Sequence, residues 1–377
     1  MVTSRSRRSG YTIRQYDPDD RDGVLSLYET VFGRGDESWF DWRYVDNPYL
    51  ESVPICVAEH DGEVVGARPS LPFPLLIGGE RVLAIAQVDP MVAPDHRRNG
   101  LFSRMVTHVY RHYADREPSV SVGFPNEAVM EALTSLDEEL SLHKGVTRPF
   151  PVHYRLQDPG ALVGDVLDDD LVERLAGSLA TPAARGLLSL RTGSPDRTAT
   201  VTRREGVPAA ALADLSARSV PSGAHAHREE TFLRWRFSNP RFEYATFTAE
   251  IEGRREAALV VGRRRSGERD LIHVTTVAPL SGGDRRRIAL DHLLARAVEE
   301  FRDAALLSVA GECVPDDLLG KYRFRPETSF PLSRLTTTTY LVTRPLTDRD
   351  VGEWRVGGQS LSEPNRWRFT YCEREIG

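Results

Sequence analysis

The sequence predicts an α/β (α+β) chain built as two related lobes, and three observations carry that prediction. Apolar residues recur with period two in some stretches and with period 3.6 in others along residues 11–155. A basic, glycine-bearing turn joins a strand to a helix at Val92-Ala93-Pro94-Asp95-His96-Arg97-Arg98-Asn99-Gly100-Leu101-Phe102. Short words from the first half of the chain return in the same order in the second.

The elements follow in order. Thr12-Ile13-Arg14-Gln15-Tyr16 alternates like a strand, and Asp20 to Phe32 reads as a helix with Val24, Leu25, Leu27, Tyr28 and Val31 on its apolar side. Strands at 54–59 and 63–67 flank His60-Asp61-Gly62, where Asp-Gly is a strong tight-turn signal. Strands at 75–77 and 81–85 flank a second turn at Gly78-Gly79, and the latter leads into the basic turn. A helix follows with Leu101, Met105, Val109 and Tyr113 at i, i+4 spacing, then a strand at 119–123, Phe124-Pro125-Asn126 and a further helix.

A turn of this kind suits an anion. The first amides of the helix have no partner within it, the helix dipole is positive there, Arg97 and Arg98 add charge, and Gly100 lets backbone approach a ligand closely. Arg97-x-x-Gly100-x-Phe102, preceded by Val-x-Pro and followed by an apolar helix, resembles the acyl-CoA-binding motif of the GNAT superfamily of N-acetyltransferases. That pattern is Arg or Gln, two residues, Gly, one residue, then Gly or Ala; Phe102 departs from it at the last position. The element order β-α-α-β-β-β-α-β-α is also that of the GNAT fold. The resemblance implies a mixed, mostly antiparallel central sheet flanked by helices. It implies that the amides from Arg98 through Asn99, Gly100 and Leu101 to Phe102, with the Ser103 hydroxyl, cradle the coenzyme A pyrophosphate. Asn126 matches an asparagine that contacts the pantetheine arm in the family.

The internal repeat extends this to a second lobe. Trp42-Arg43-Tyr44-Val45-Asp46-Asn47-Pro48 recurs as Trp235-Arg236-Phe237-Ser238-Asn239-Pro240, Ala58-Glu59-His60-Asp61-Gly62 as Ala249-Glu250-Ile251-Glu252-Gly253, and Val92-Ala93-Pro94 as Val277-Ala278-Pro279. The expected division is an acyl-CoA-binding lobe at 11–155, a helical connector at 156–197, a degenerate GNAT-like lobe at 198–345 and a tail at 346–377 whose stretch Trp367 to Tyr371 alternates like a strand. The second lobe has no glycine where the first opens its helix, so it reads as a copy that has lost acyl-CoA binding. The rival reading is that Arg285 to Arg287 still grip an anion.

Composition narrows the function classes. A net charge of −6 gives no general attraction to nucleic acid or an anionic membrane. Lys144 and Lys321 are the only lysines among 49 basic residues, and the arginines are spread along the chain. Cys56, Cys313 and Cys372 fit neither a metal site nor a disulfide framework. Met1 to Gly10 is basic without an apolar core, and no segment approaches the ~20 apolar residues that span a bilayer. A cytoplasmic enzyme without metal is the expectation, with acetyl-CoA as co-substrate and an amine acceptor, while homo-oligomerisation stays open.

Acyl transfer from a thioester to an amine needs a base, an oxyanion donor and an acid for the thiolate. In the superfamily the oxyanion donor is a backbone N–H on the strand before the turn. Pro90 has none, which leaves Met91 or Val92. Asp89 is the carboxylate of that strand and the first candidate base, ahead of Glu127 and His143. The carboxylate of Gly377 is another candidate, since in some tandem GNAT enzymes the chain end enters the N-terminal site. The family's usual acid is a tyrosine about seven residues beyond the asparagine, where Leu133 stands here. That absence keeps open a cofactor-binding pseudoenzyme or sensor. An aminoacyl transferase of the two-lobe peptidoglycan-bridging type is a third reading, disfavoured by the intact coenzyme turn.

Overall fold

The computed structural model describes residues 10–127, 129–130, 133–134, 145–157, 195, 199–267, 269–330, 332–334, 336–346 and 354–374. Two large sheets carry the fold. The first contains β1 (Tyr11–Gln15), β2 (Ile55–His60), β3 (Glu63–Ile77), β4 (Glu80–Gln87), β5 (Met91–Val92), β6 (Val120–Gly123) and β7 (Val146–Pro149). The helix α1 (Arg21–Phe32) and the short α2 (Glu37–Phe40) lie between β1 and β2, and α3 (Leu101–Tyr113) lies between β5 and β6. The second sheet contains β8 (Val152–Leu156) and β9 (Thr200–Glu205) and, beyond α4 (Ala209–Ala217) and α5 (Glu230–Arg236), β11 (Glu243–Ile251), β12 (Arg254–Ser266) and β13 (Arg269–Ala278), while the short β10 (His225–Ala226) between those helices pairs with β3 of the first sheet. After α6 (Asp284–Glu300) come β14 (Leu306–Ala310), α7 (Asp316–Lys321), β15 (Arg325–Pro326) and β16 (Tyr340–Pro345). The mixed, mostly antiparallel sheets with flanking helices are those the sequence implied.

Local chemistry sets the elements. Helix α1 buries Val24, Leu25, Leu27 and Tyr28, follows a capping box of Asp17 and Asp20, and stops at Gly33 with φ 64°. The β2–β3 turn has φ 52° at Asp61 and 84° at Gly62, and the repeated turn between β11 and β12 has 52° at Glu252 and 74° at Gly253. Positive φ at both central residues is the hairpin geometry whose twist matches paired strands.

The stretch read from sequence as two strands, 63–67 and 75–77, is one strand of 15 residues that runs through Pro69, Pro72 and Pro74. Its first half pairs with β2 and its second with β4. Pro72 and Pro74 turn their carbonyls away from β4, to the Asn47 side-chain amide at 3.1 Å and the His227 N–H at 2.8 Å. The missing N–H groups of Pro72 and Pro74 therefore fall on the edge away from β4, which β2 does not reach and where only the short β10 pairs, at Leu75 and Leu76.

The two sheets exchange strands. The first runs β1-β2-β3-β4-β6-β16-β7 and the second β9-β11-β12-β13-β14-β8-β15. Each sequence half thus lends its last strand to the other's sheet. The strand at 152–156, assigned by sequence to the first lobe, lies between β14 and β15, while 340–345, assigned to the second, lies between β6 and β7. The repeated Trp-Arg words meet between the lobes: Trp42 and Trp235 stack at 5.8 Å, and each indole N–H donates to the other's carbonyl, at 2.8 and 2.9 Å. One apolar core runs across both halves, from Val24 and Leu75 to Phe232 and Trp367.

The tail docks as expected but does not form a strand over 367–371. Trp367, Phe369 and Tyr371 are buried, while the backbone makes one bridge, between Trp367 and Ala224. The tail runs against a loop and strand ends, so its alternation reports packing and not a ladder. The expected helical connector at 156–197 lies almost wholly outside the described residues. Among the described residues, no helix is long and apolar enough to cross a membrane.

Candidate active site

The site begins where the first sheet splits. Strand β4 runs parallel to β6 as far as Gln87 opposite Gly123. The chain then breaks at Val88-Asp89-Pro90, with Asp89 at φ 39°, and β5 continues beside β3 alone. Ala93 donates to the Val65 carbonyl at 2.9 Å. Antiparallel pairs alternate, so the Met91 amide also faces β3 and the Val92 amide faces the opening. Of the two donors left open by the sequence, Val92 is the one directed into the gap, while Met91 is buried.

The basic turn closes one end of this opening. Pro94–His96 forms a single 3₁₀ turn, Arg98 has φ 65°, and Gly100 at φ 69° immediately precedes α3. The first helical bond is Arg104 N–H to the Gly100 carbonyl, so the amides of Leu101, Phe102 and Ser103 precede it. A Cβ placed on Gly100 would meet nothing within 4 Å, which means that space over the helix end is open. Arg97 folds its Nε onto the Val92 carbonyl at 3.1 Å, and Arg98 is exposed. The Asn99 side chain clamps the turn, donating to the carbonyls of His96 and Arg97 and to the Tyr11 hydroxyl. Leu101 is buried in the packing of α3 on the sheet. Phe102 lies against the Arg68 guanidinium, 5.2 Å from its ring centre.

A cavity of about 460 Å³ occupies the split. Asp89, Asn126, Phe102, Arg34, Arg43 and Arg68 line it. Asp89 Oδ2 accepts from Arg43 Nη1 at 2.8 Å and lies 3.5 Å from Arg34 and 3.4 Å from the Tyr28 hydroxyl. Arg43 is 2% exposed and sits over the Trp39 ring at 4.6 Å. Asn126 accepts from the Val129 N–H at 3.0 Å, so it caps the following helix and borders the cavity at once. Glu127 is exposed and borders no part of it. Leu133 presents an apolar wall where the family's tyrosine would stand, and no tyrosine lines the cavity among the described residues. His143 and Gly377 lie outside the described residues. The tail does reach this cavity, through Glu373 and Arg374. The arginines of strands and loops escaped sequence reading, except that Arg43 belongs to the repeated Trp-Arg word.

The equivalent place in the second sheet is shut. There β13 pairs with β14 as far as Val274 opposite Val309 and then runs on beside β12 alone, but the gap so formed is filled. Arg286, buried at the start of α6, bridges the two sides, with Nε to the Pro279 carbonyl and Nη2 to the Cys313 carbonyl, both at 2.7 Å. Arg285 is taken by Glu252 and Glu256, and Arg287 by Asp317. The tail fills the remainder. Its backbone at Phe369 passes so close to Gly311 that any side chain there would collide with the Phe369 carbonyl. Arg236 donates to the carbonyls of Tyr371 and Cys372, and Arg228 pairs with Glu373 at 2.9 Å. In the first lobe the counterpart Arg43 holds Asp89 and the space is open.

Comparison with known proteins agrees with this geometry. Residues 12–131 match the family model described as an acetyltransferase (GNAT) domain. No curated protein matches the chain. Among solved structures, a GCN5-related N-acetyltransferase from Anabaena variabilis superposes with a TM-score of 0.55 at 11% identity, over 89% of this chain and 73% of that one. An Enterococcus faecalis protein of unknown function, described as a probable N-acyltransferase, gives 0.54 at 9%, over 90% and 73%. Saccharomyces cerevisiae N-myristoyltransferase, solved with myristoyl-CoA, gives 0.55 at 12%, over 89% and 80%. Residues 12–131, with the split sheet and the glycine turn, thus form a GNAT-type acetyltransferase domain, and the chain as a whole shares the fold of the acyltransferase structures it superposes on.

Proposed function

We propose that the protein is an acyl-CoA-dependent N-acyltransferase, with acetyl-CoA the first donor to test, whose N-terminal lobe acylates an amine of a small molecule or peptide. The observation that carries this is the divergence of β5 from β6 directly beside the open end of α3. In this reading the free amides of Leu101 to Ser103, with Arg98, hold the pyrophosphate. Asn126 borders the pantetheine arm. The Val92 N–H meets the thioester carbonyl and holds the oxyanion as the amine adds. Asp89 accepts the amine's proton, directly or through water, through Oδ1, while Arg43 fixes the other oxygen. Leu133 offers no proton, so the thiolate leaves unassisted, which a thiol of pKa about 8.5 tolerates.

Leu133 also favours a second reading, a lobe that binds acyl-CoA without turning it over. Acetyl-CoA incubated with amines of several classes, with thiol release as readout, separates the two. Release that depends on an amine supports the enzyme. Tight coenzyme binding with no release for any amine class or acyl chain supports the sensor.

A further inference from the structure

The cavity holds a buried cation that no hydrogen-bonding group among the described residues answers. Arg68 projects from β3 with 6% of its surface exposed, and it borders the cavity. Among the described residues no carboxylate, carbonyl or hydroxyl hydrogen-bonds to it; its Nε is buried and without a partner. Its guanidinium lies over the Phe102 ring, and burial pulls its pKa down to about 10, against a weaker opposing influence of Tyr110 and Cys56. Leaving a guanidinium buried in this state is costly. Gln87 also borders the cavity, and both its amide oxygen and amide nitrogen are buried without partners. The two belong together. Gln87 stands opposite Ser70 in the β3–β4 ladder and Arg68 is two residues before Ser70, so both project from one face of adjacent strands.

The surrounding charge points the same way. The cavity is lined by Arg34, Arg43, Arg68 and Arg374 against Asp89 and Glu373. Asp89 is held by Arg43, and Glu373 by Arg228 from the other lobe. Neither is available to Arg68. Arg344 adds a like charge near Arg68 and no compensation.

We propose that Arg68 and Gln87 form a carboxylate-binding subsite inside the reaction cavity, so that one of the two reactants carries a carboxylate. The guanidinium takes the anion through its charged N–H groups and the Gln87 amide donates to a remaining oxygen. The carboxylate belongs either to the acyl group, as in a dicarboxylic acyl thioester, or to the acceptor, as in an amino acid. This rests on the acyltransferase reading only for the order of events, since the subsite binds an anion whether or not transfer follows.

The test uses the full chain. Succinate raises the melting temperature of the wild type and succinamide does not. Arg68→Met and Gln87→Glu each abolish that shift. The second variant supplies Arg68 with an internal carboxylate, so it also raises the melting temperature of the free protein, which guards against a variant that merely fails to fold. Kinetics then assign the source. Succinyl-CoA against acetyl-CoA, or an amino acid against its carboxamide, differs by at least about 30-fold in kcat/KM in the wild type and by less than about threefold in either variant. Free coenzyme A binds the wild type and Arg68→Met alike. A succinate shift that survives in both variants, or coenzyme A affinity that falls in Arg68→Met as far as carboxylate preference does, overturns the subsite. Loss of coenzyme A binding in the wild type would instead count against the function proposed above.

Discussion

Asp89 sits at φ 39° between a strand that has just parted from its neighbour and two arginines. A left-handed, non-glycine residue at the mouth of a cavity is a place where strain is held by surrounding structure. Asp89→Asn keeps the shape and removes the charge. If Asp89 is the base, turnover falls about 10²–10⁴-fold and acetyl-CoA affinity stays within about threefold. If it only anchors Arg43, turnover is near normal between pH 6 and 9 and the loss appears in melting temperature. Arg98 carries a separate prediction. Arg98→Ala weakens coenzyme A binding by about 1.5–3 kcal/mol if its guanidinium donates to phosphate, and the loss shrinks at high salt. Arg97→Ala belongs in the same series, although its Nε already serves the Val92 carbonyl. Titration calorimetry at two salt concentrations reads both.

The residues differ in how legible they were. Gly100 was legible as a turn residue because it follows two arginines and opens an apolar helix, and its φ of 69° is the left-handed backbone such a turn requires. Trp42 and Trp235 were legible as words of a repeat, though not as partners that stack on each other. Arg68 and Gln87 left no mark, because an isolated polar residue in a strand looks the same in sequence whether it faces solvent or a cavity.

At the scale of elements, the strand exchange was hidden for a physical reason. Val152–Leu156 and Tyr340–Pro345 are short alternating strands, and nothing in a strand's own residues names the sheet it will join. The prolines of β3 misled in the opposite sense, since a central strand should exclude them and only the partner change at Pro69 makes room. Glu327 ties the exchange together. Its N–H donates to the Val152 carbonyl of β8, and its carboxylate accepts from the Thr339 N–H just before β16. Burial raises its pKa from 4.5 to about 7. A buried acid with a raised pKa binds its proton more tightly in the folded state, so its contribution is full below pH 4.5 and is lost as pH rises through 7. Glu327→Gln keeps the acceptor without the charge. We expect it to melt close to the wild type at pH 5 and above it at pH 8.5, by an amount that reflects on the order of 2–3 kcal/mol. Equal melting temperatures at both pH values would show that the carboxylate is solvated in the folded state.

The whole molecule is a pair of related sheets of which one has kept an opening. A fragment ending at residue 157 would lack β16 and leave β6 and β7 with bare edges, so it should be insoluble or unfolded by circular dichroism. A stable, monomeric fragment would mean that the exchange is dispensable. The asymmetry between lobes has a sharper consequence. Arg286 and the tail occupy in the second sheet what the first leaves free. Calorimetric titration of the wild type and of Gly100→Asp with coenzyme A tests this most directly. A Cβ on Gly100 meets no protein atom within 4 Å, so we expect this substitution to act on the ligand, by crowding and by like charge. Aspartate is among the residues that tolerate positive φ best, which keeps the cost to the fold small. The expected result is one site per chain in the wild type and no detectable binding in Gly100→Asp, with its circular dichroism unchanged. Two equivalent sites, or one site that survives in Gly100→Asp, would contradict the assignment of coenzyme binding to the N-terminal lobe alone.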